Sequence, residues 1–230
     1  MAFDIQAYDN REALYDTAAH LVSDKLQQAL LSGPATLLLS GGSTPSPVYQ
    51  RLSDDPLDWT RVHVGLVDER WVENDHPASN ERLVYETLLT GKAAEALFYP
   101  MKTPDADPGL AVPRLNKAYE PFNAPDVVIL GMGPDGHTAS WFPNATGLKE
   151  AMSPDAGERV AAINAAGAPV AGDYPDRMTI TLPVVIRAKH VFLLITGDEK
   201  RDTLQAESAN LPIHNLFDQM PGKIETLWAP

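Results

Sequence analysis

Asp126 to Pro143, DVVILGMGPDGHTASWFP, concentrates more potential chemistry than any other stretch of this chain. Val127 to Leu130 is a continuous β-branched and aliphatic run, the pattern of a strand buried on both faces in a parallel sheet. Gly131, Gly133 and Gly136 follow at once, and glycines let a backbone turn sharply and approach a ligand. Asp135, His137, Thr138 and Ser140 then emerge past the strand's carboxyl end, where open α/β sheets bind ligands. Histidine is the side chain best poised to move a proton at neutral pH, so His137 is a candidate base. His20, His63, His76, His190 and His214 lack such a setting and read as structural or surface residues.

Gly131 to Gly136 also satisfies G-x-G-x-x-G, but the dinucleotide reading fails on context. It requires a long helix after the third glycine and an acidic residue ending the next strand roughly 20 residues on. Pro143 stops any such helix, and no strand ends in Asp or Glu at that distance.

Similar strand-end clusters recur. Ala35 to Leu39 reads as a buried strand running into Ser40-Gly41-Gly42-Ser43-Thr44-Pro45. Thr44 as N-cap and Pro45 as first helical residue would set this loop at a helix N-terminus, a cradle for an anion such as phosphate. It is not a Walker loop, because the Gly-Lys-Ser/Thr ending is absent. Val62 to Val67 reads as a strand delivering Asp68-Glu69-Arg70, although such a charge run can also be a solvated ion-pair cluster. Arg177 opens an alternating strand, Met178 to Leu182. Val191 to Ile195 leads to Thr196-Gly197-Asp198-Glu199-Lys200 and a helix reaching about Ser208. A hydroxyl and glycine loop with Arg177 and Lys200 would hold a dianionic phosphate, while His137 and Arg70 would supply a base and an electrophilic cation.

The elements that must position these groups alternate. A helix is expected over Asp9 to Leu31, another over Ser79 to Leu89, and a short one ending near Phe122. Pro104 to Pro113 reads as a proline-rich surface loop, Gly167 to Asp176 as a mobile one, and Ile224 to Trp228 as a last strand. The expectation is an α/β protein, residues 1–230 forming one domain, with a mostly parallel, Rossmann-like sheet and helices on both faces.

At 230 residues and 44% hydrophobic, the chain can bury a full core. It contains no cysteine, which excludes disulfides and thiolate chemistry. A net charge of −13 argues against nucleic acid as a partner, yet leaves room for a small phosphorylated ligand held by a few local cations. MAFDIQAYDN lacks the features of a signal peptide and no apolar run is long enough to span a membrane, so a cytoplasmic location is expected. Asp68, Glu69, Asp75 and His76 form no metal motif, and no metal is called for.

The ordered set Ser40 to Pro45, Asp68-Glu69-Arg70, Gly131 to Ser140, Arg177-Met178-Thr179 and Gly197-Asp198-Glu199-Lys200 resembles the 6-phosphogluconolactonase family, within the glucosamine-6-phosphate isomerase/deaminase superfamily. The resemblance spans nearly the whole chain. It implies hydrolysis of 6-phospho-D-glucono-1,5-lactone, with His137 activating water, Arg70 stabilising the oxyanion and Asp135 orienting His137 or a substrate hydroxyl. It also implies work without a cofactor, commonly as a monomer. Trp141 and Asn144 stand where such proteins commonly have Leu and Gly, which would reshape the pocket wall. Gly172 to Asp176 replaces a frequent Lys-Pro-Pro run.

Two other readings are weaker. Deaminase relatives carry Asp-Glu-Tyr in place of Asp68-Glu69-Arg70 and a Glu shortly after the histidine. A non-catalytic sugar-phosphate sensor would append a DNA-binding module, and neither a helix-turn-helix nor a basic patch is visible.

Overall fold

A computed structural model describes residues 3–206 and 211–230. The expected strand from Ala35 forms as β2, Ala35–Leu39, and the central one as β6, Val127–Gly131. Both are buried residue after residue, and because successive side chains alternate faces, cover on both faces is required. Asp126 pins the two strands at their amino ends: Thr36 donates to its Oδ2 through N–H and Oγ1, at 2.8 and 2.9 Å.

Five further strands complete a parallel sheet: β1 (Ile5–Ala7), β3 (Val62–Leu66), β5 (Leu97–Tyr99), β9 (His190–Thr196) and β10 (Ile224–Ala229), in the order β1-β10-β9-β6-β2-β3-β5. From β2 the chain moves outward through β3 to β5. From β6 it moves the opposite way, through β9 to β10. The crevice between β2 and β6 is therefore the topological switch point, and the loops leaving both strands open into it.

The helix α1, Arg11–Leu30, is capped by Asn10, whose side chain accepts from Ala13 N–H at 2.9 Å. Leu14, Ala18, Val22, Leu26 and Leu30 form its buried face, as their spacing predicts, and it packs across β2, β6 and β10. A Leu buried in this way contributes roughly 1.5–3 kcal/mol. The short α2, Ser46–Leu52, lies against α1 and α3, Asn80–Thr87.

Four expectations need correction. Asp68-Glu69-Arg70 is not a loop: it is β4, Asp68–Arg70, in a small antiparallel sheet with β7, Val160–Asn164, and β8, Asp176–Ile180. Val67 is the joint, its N–H bonded to Leu39 O and its carbonyl to Ile180 N–H. Pro113 does not belong to a surface loop but lies inside α4, Pro108–Ala118. It is Pro108 that occupies the first turn, where proline suits a helix, and Asp107 accepting from Gly109 N–H starts it. The strand expected to reach Leu182 ends at Ile180, since Pro183 opens α6, Leu182–Ile186. Helix α7, Asp198–Gln205, ends before Ser208, which lies outside the described residues. Short helices α5, Leu148–Ala151, and α8, Pro212–Gln219, complete the chain. Among the described residues no helix is long and apolar enough to cross a membrane.

Candidate active site

The loops at the switch point surround a cavity of about 220 Å³. Ser40, Gly41, Gly42, Ser43, Thr44, Asp68, Arg70, His137, Arg177 and Lys200 all line it. Asp135, Thr138, Ser140 and Glu69, also singled out from sequence, lie outside that lining.

Asp135 sits there because the turn folds back on itself. Gly136 N–H bonds to Gly133 O at 3.0 Å and Gly133 N–H to His137 O at 2.9 Å. That brings His137 Nδ1 to 2.5 Å from Asp135 Oδ1. The carboxylate therefore holds the proton on Nδ1 and leaves Nε2 as the ring's free lone pair. Burial pushes Asp135 upward, but its hydrogen bond to His137 and the charge there outweigh this and hold its carboxyl below the ordinary value. Phe142 stacks against the imidazole, centroids 4.2 Å apart. Gly133 is glycine for lack of space: a Cβ would lie 2.1 Å from His137 Cε1. No helix follows Gly136 before α5, so the dinucleotide fingerprint has no structural counterpart.

The loop after β2 is anchored from α2. Tyr49 donates to Ser40 O and Ser46 to Gly42 O, each at 2.7 Å. Thr44 is not the N-cap: Pro45 holds that position, and the Thr44 hydroxyl meets Thr196 at 3.2 Å. The loop keeps Gly42 and Ser43 exposed. Ser40 Oγ is buried on the cavity wall with no hydrogen-bond partner among the described residues, and a buried hydroxyl of this kind is suited to a ligand oxygen.

The acidic triplet is not a solvated cluster, because Glu69 is fully buried. It accepts from the N–H groups of Arg70, Asn80 and Glu81 and from Ser79 Oγ, fixing α3 to β4. Burial, against those backbone donors and with Asp68 nearby, pushes Glu69 up to about 7. Asp68 faces the cavity, receiving Ser140 Oγ at 2.6 Å with Arg177 at 4.0 Å. Arg177 is nearly buried. Burial lowers its guanidinium, Asp68 raises it, and Arg70 lowers it again. Burial also lowers the Lys200 ammonium, opposed by Glu199 and reinforced by Arg11.

Sequence reasoning missed Asn80, which lines the cavity and donates from Nδ2 to Asp68 O at 2.8 Å. Its Oδ1 lies so close to Gly41 that a Cβ there would be 1.9 Å away. Asn80 sits at the start of α3, ten residues beyond the triplet, and only the docking of that helix on β4 reveals the contact. Trp141 is buried and donates to Ile180 O at 3.0 Å; it supports the site from behind rather than forming its wall. Asn144 has φ of 63°, a conformation Asn tolerates and glycine favours, so its exchange with glycine keeps the turn. Among the described residues no group of three or more His, Asp or Glu is placed to hold a metal.

Fold and site together define a doubly wound α/β protein with a histidine–carboxylate pair set among cations and the Ser40–Thr44 loop at the switch point. The profile of glucosamine-6-phosphate isomerases/6-phosphogluconolactonase matches residues 9–228. The chain is 38% identical over 240 residues to a 6-phosphogluconolactonase of Rhizobium meliloti, covering all of both chains. It is 40% identical over 190 residues to that of Pseudomonas aeruginosa, covering 82% of this chain and 78% of the relative. The crystal structure of a 6-phosphogluconolactonase from Shewanella baltica superposes with a TM-score of 0.92 at 32% identity, covering 100% of this chain and 98% of that one. A monomeric glucosamine-6-phosphate deaminase, 18% identical with a TM-score of 0.78, shares the fold. The chain belongs to the glucosamine-6-phosphate isomerase/6-phosphogluconolactonase family.

Proposed function

We propose that this protein hydrolyses 6-phospho-D-glucono-1,5-lactone to 6-phosphogluconate. The observation that carries the reading is His137, its Nδ1 bound to Asp135 at 2.5 Å, on a cavity that also gathers Arg70, Arg177, Lys200 and the Ser40–Thr44 loop. The relatives' shared activity supports it.

His137 Nε2 takes a proton from water as the oxygen attacks the lactone C1, and Asp135 stabilises the imidazolium that results. The carbonyl π electrons move to oxygen, and Arg70 offsets that charge. The intermediate collapses by breaking the bond from C1 to the ring oxygen, which receives its proton back from His137. The product acid then ionises into solvent. Lys200, Arg177 and the donors of the Ser40–Thr44 loop hold the phosphate, whose binding energy orients the ring. A lactone is an activated ester, so no more than this is demanded.

The test is a coupled assay that generates the lactone with glucose-6-phosphate dehydrogenase and follows 6-phosphogluconate against the spontaneous background. A large acceleration absent for unphosphorylated gluconolactone is expected. No acceleration, together with turnover of glucosamine 6-phosphate, would replace this reading with the sister activity.

A further inference from the structure

Arg70 on β4 and Arg177 on β8 stand directly opposite each other in register, and both face the cavity. Like charges at opposed antiparallel positions repel. Something must hold the two guanidinium groups where one substrate can meet both.

Three loop carbonyls do this, one of them Ala171 O, which accepts from Arg177 Nη2 at 3.1 Å. Ala78 O accepts from Arg70 Nη1 at 2.5 Å, and Tyr174 O accepts from Arg177 Nε at 2.6 Å. The segments carrying these carbonyls meet through two side chains. His76 Nδ1 accepts from Ala78 N–H at 3.0 Å, so that nitrogen bears no proton and the ring proton sits on Nε2. Nε2 faces the Tyr174 hydroxyl at 3.4 Å. The rings meet edge to face, with centroids 5.0 Å apart and planes at 70°, a favoured aromatic geometry. A continuous path thus runs from Arg70 through Ala78, His76 and Tyr174 to Arg177.

We propose that His76 and Tyr174 are positioning residues: a ring-to-ring latch that sets the spacing between the Arg70 guanidinium, which meets the lactone carbonyl oxygen, and the Arg177 guanidinium, which holds the phosphate. Resting on the phosphorylated-lactone reading of the site, the latch adds a source of ligand affinity that lies outside the cavity. It assigns the Gly172–Asp176 loop a task of its own, holding an arginine through Tyr174.

The experiment is calorimetric binding of 6-phosphogluconate and of inorganic phosphate to the parent, His76→Ala, Tyr174→Ala and the double variant, with lactone kinetics alongside. Each alanine variant is expected to bind 6-phosphogluconate roughly 5-fold more weakly or worse, and the double variant about as weakly as either single one, because the residues act through one contact. KM should rise more than kcat falls. Tyr174→Phe, which keeps the ring, should lose less than Tyr174→Ala. His76→Asn, whose Oδ1 replaces the Nδ1 acceptor, should recover part of the loss. Parent-like affinity in both alanine variants, or losses that multiply in the double variant, would overturn the latch. If the parent binds 6-phosphogluconate but does not hydrolyse the lactone, the functional reading fails while the binding series still judges the latch. A parent that binds neither anion refutes both.

Discussion

His137 can act as a base only through Nε2, because Nδ1 is held by Asp135. His137→Ala should therefore lower kcat by about 10²-fold or more while leaving 6-phosphogluconate affinity near the parent's, the signature of a lost general base. Steady-state kinetics with product-binding calorimetry separate the two effects, and an unchanged rate would remove His137 from its role. Asp135 makes a second prediction, about stability. Its carboxyl ionises below its ordinary value in the folded state. A depressed acid contributes stability in full above its unfolded pKa and loses it as pH falls through the folded one. The parent should thus be more stable than Asp135→Asn at about pH 5, with the gap closing on further acidification. Urea midpoints across that range measure it, and a gap that stays constant would show that the Asp135 charge is not what stabilises the turn.

A turn this tight is an element in its own right, and Gly133 is what allows it. Gly133→Ala would drive a Cβ into the imidazole, 2.1 Å from Cε1. The obstacle is a side chain that can swing away rather than backbone. His137 should yield, losing Asp135, and kcat should fall about 10-fold or more with little change in the far-ultraviolet circular dichroism. Parent-like kcat would mean that the histidine need not occupy this position. The strand of the Asp126–Pro143 stretch and the turn at its carboxyl end were legible because a buried parallel strand and a glycine turn are local signals. The small sheet was not. Asp68 to Arg70 is too short and too charged to read as a strand, and only pairing with Met178 and Thr179, over a hundred residues away, makes it one. Asn80 was hidden for the same reason. Its contacts with Asp68 and Gly41 exist only after α3 docks, and that docking depends on Glu69 collecting the helix's first N–H groups.

Across the whole molecule, a net charge of −13 means that an anionic substrate meets an acidic surface, and attraction must come from the few cations gathered at the switch point. Sequence located that gathering because βα alternation sends loops from distant positions to one edge. It did not show that burial tunes the cations. Lys200 is lowered by burial, so it loses its charge before the ordinary lysine value of 10.5 is reached. A phosphate ester stays dianionic throughout that range, its second ionisation lying near pH 6. Affinity for 6-phosphogluconate should therefore weaken with rising alkalinity in the parent. Lys200→Arg keeps a charge at every accessible pH and should show a flatter profile, whatever its affinity at neutrality. Product-binding calorimetry suits the test because the lactone itself hydrolyses in alkali. If both proteins weaken along the same curve, the titrating group lies elsewhere and Lys200 is not a phosphate contact. If only the parent weakens, one half-buried lysine rather than the overall charge governs how this acidic protein captures an anion.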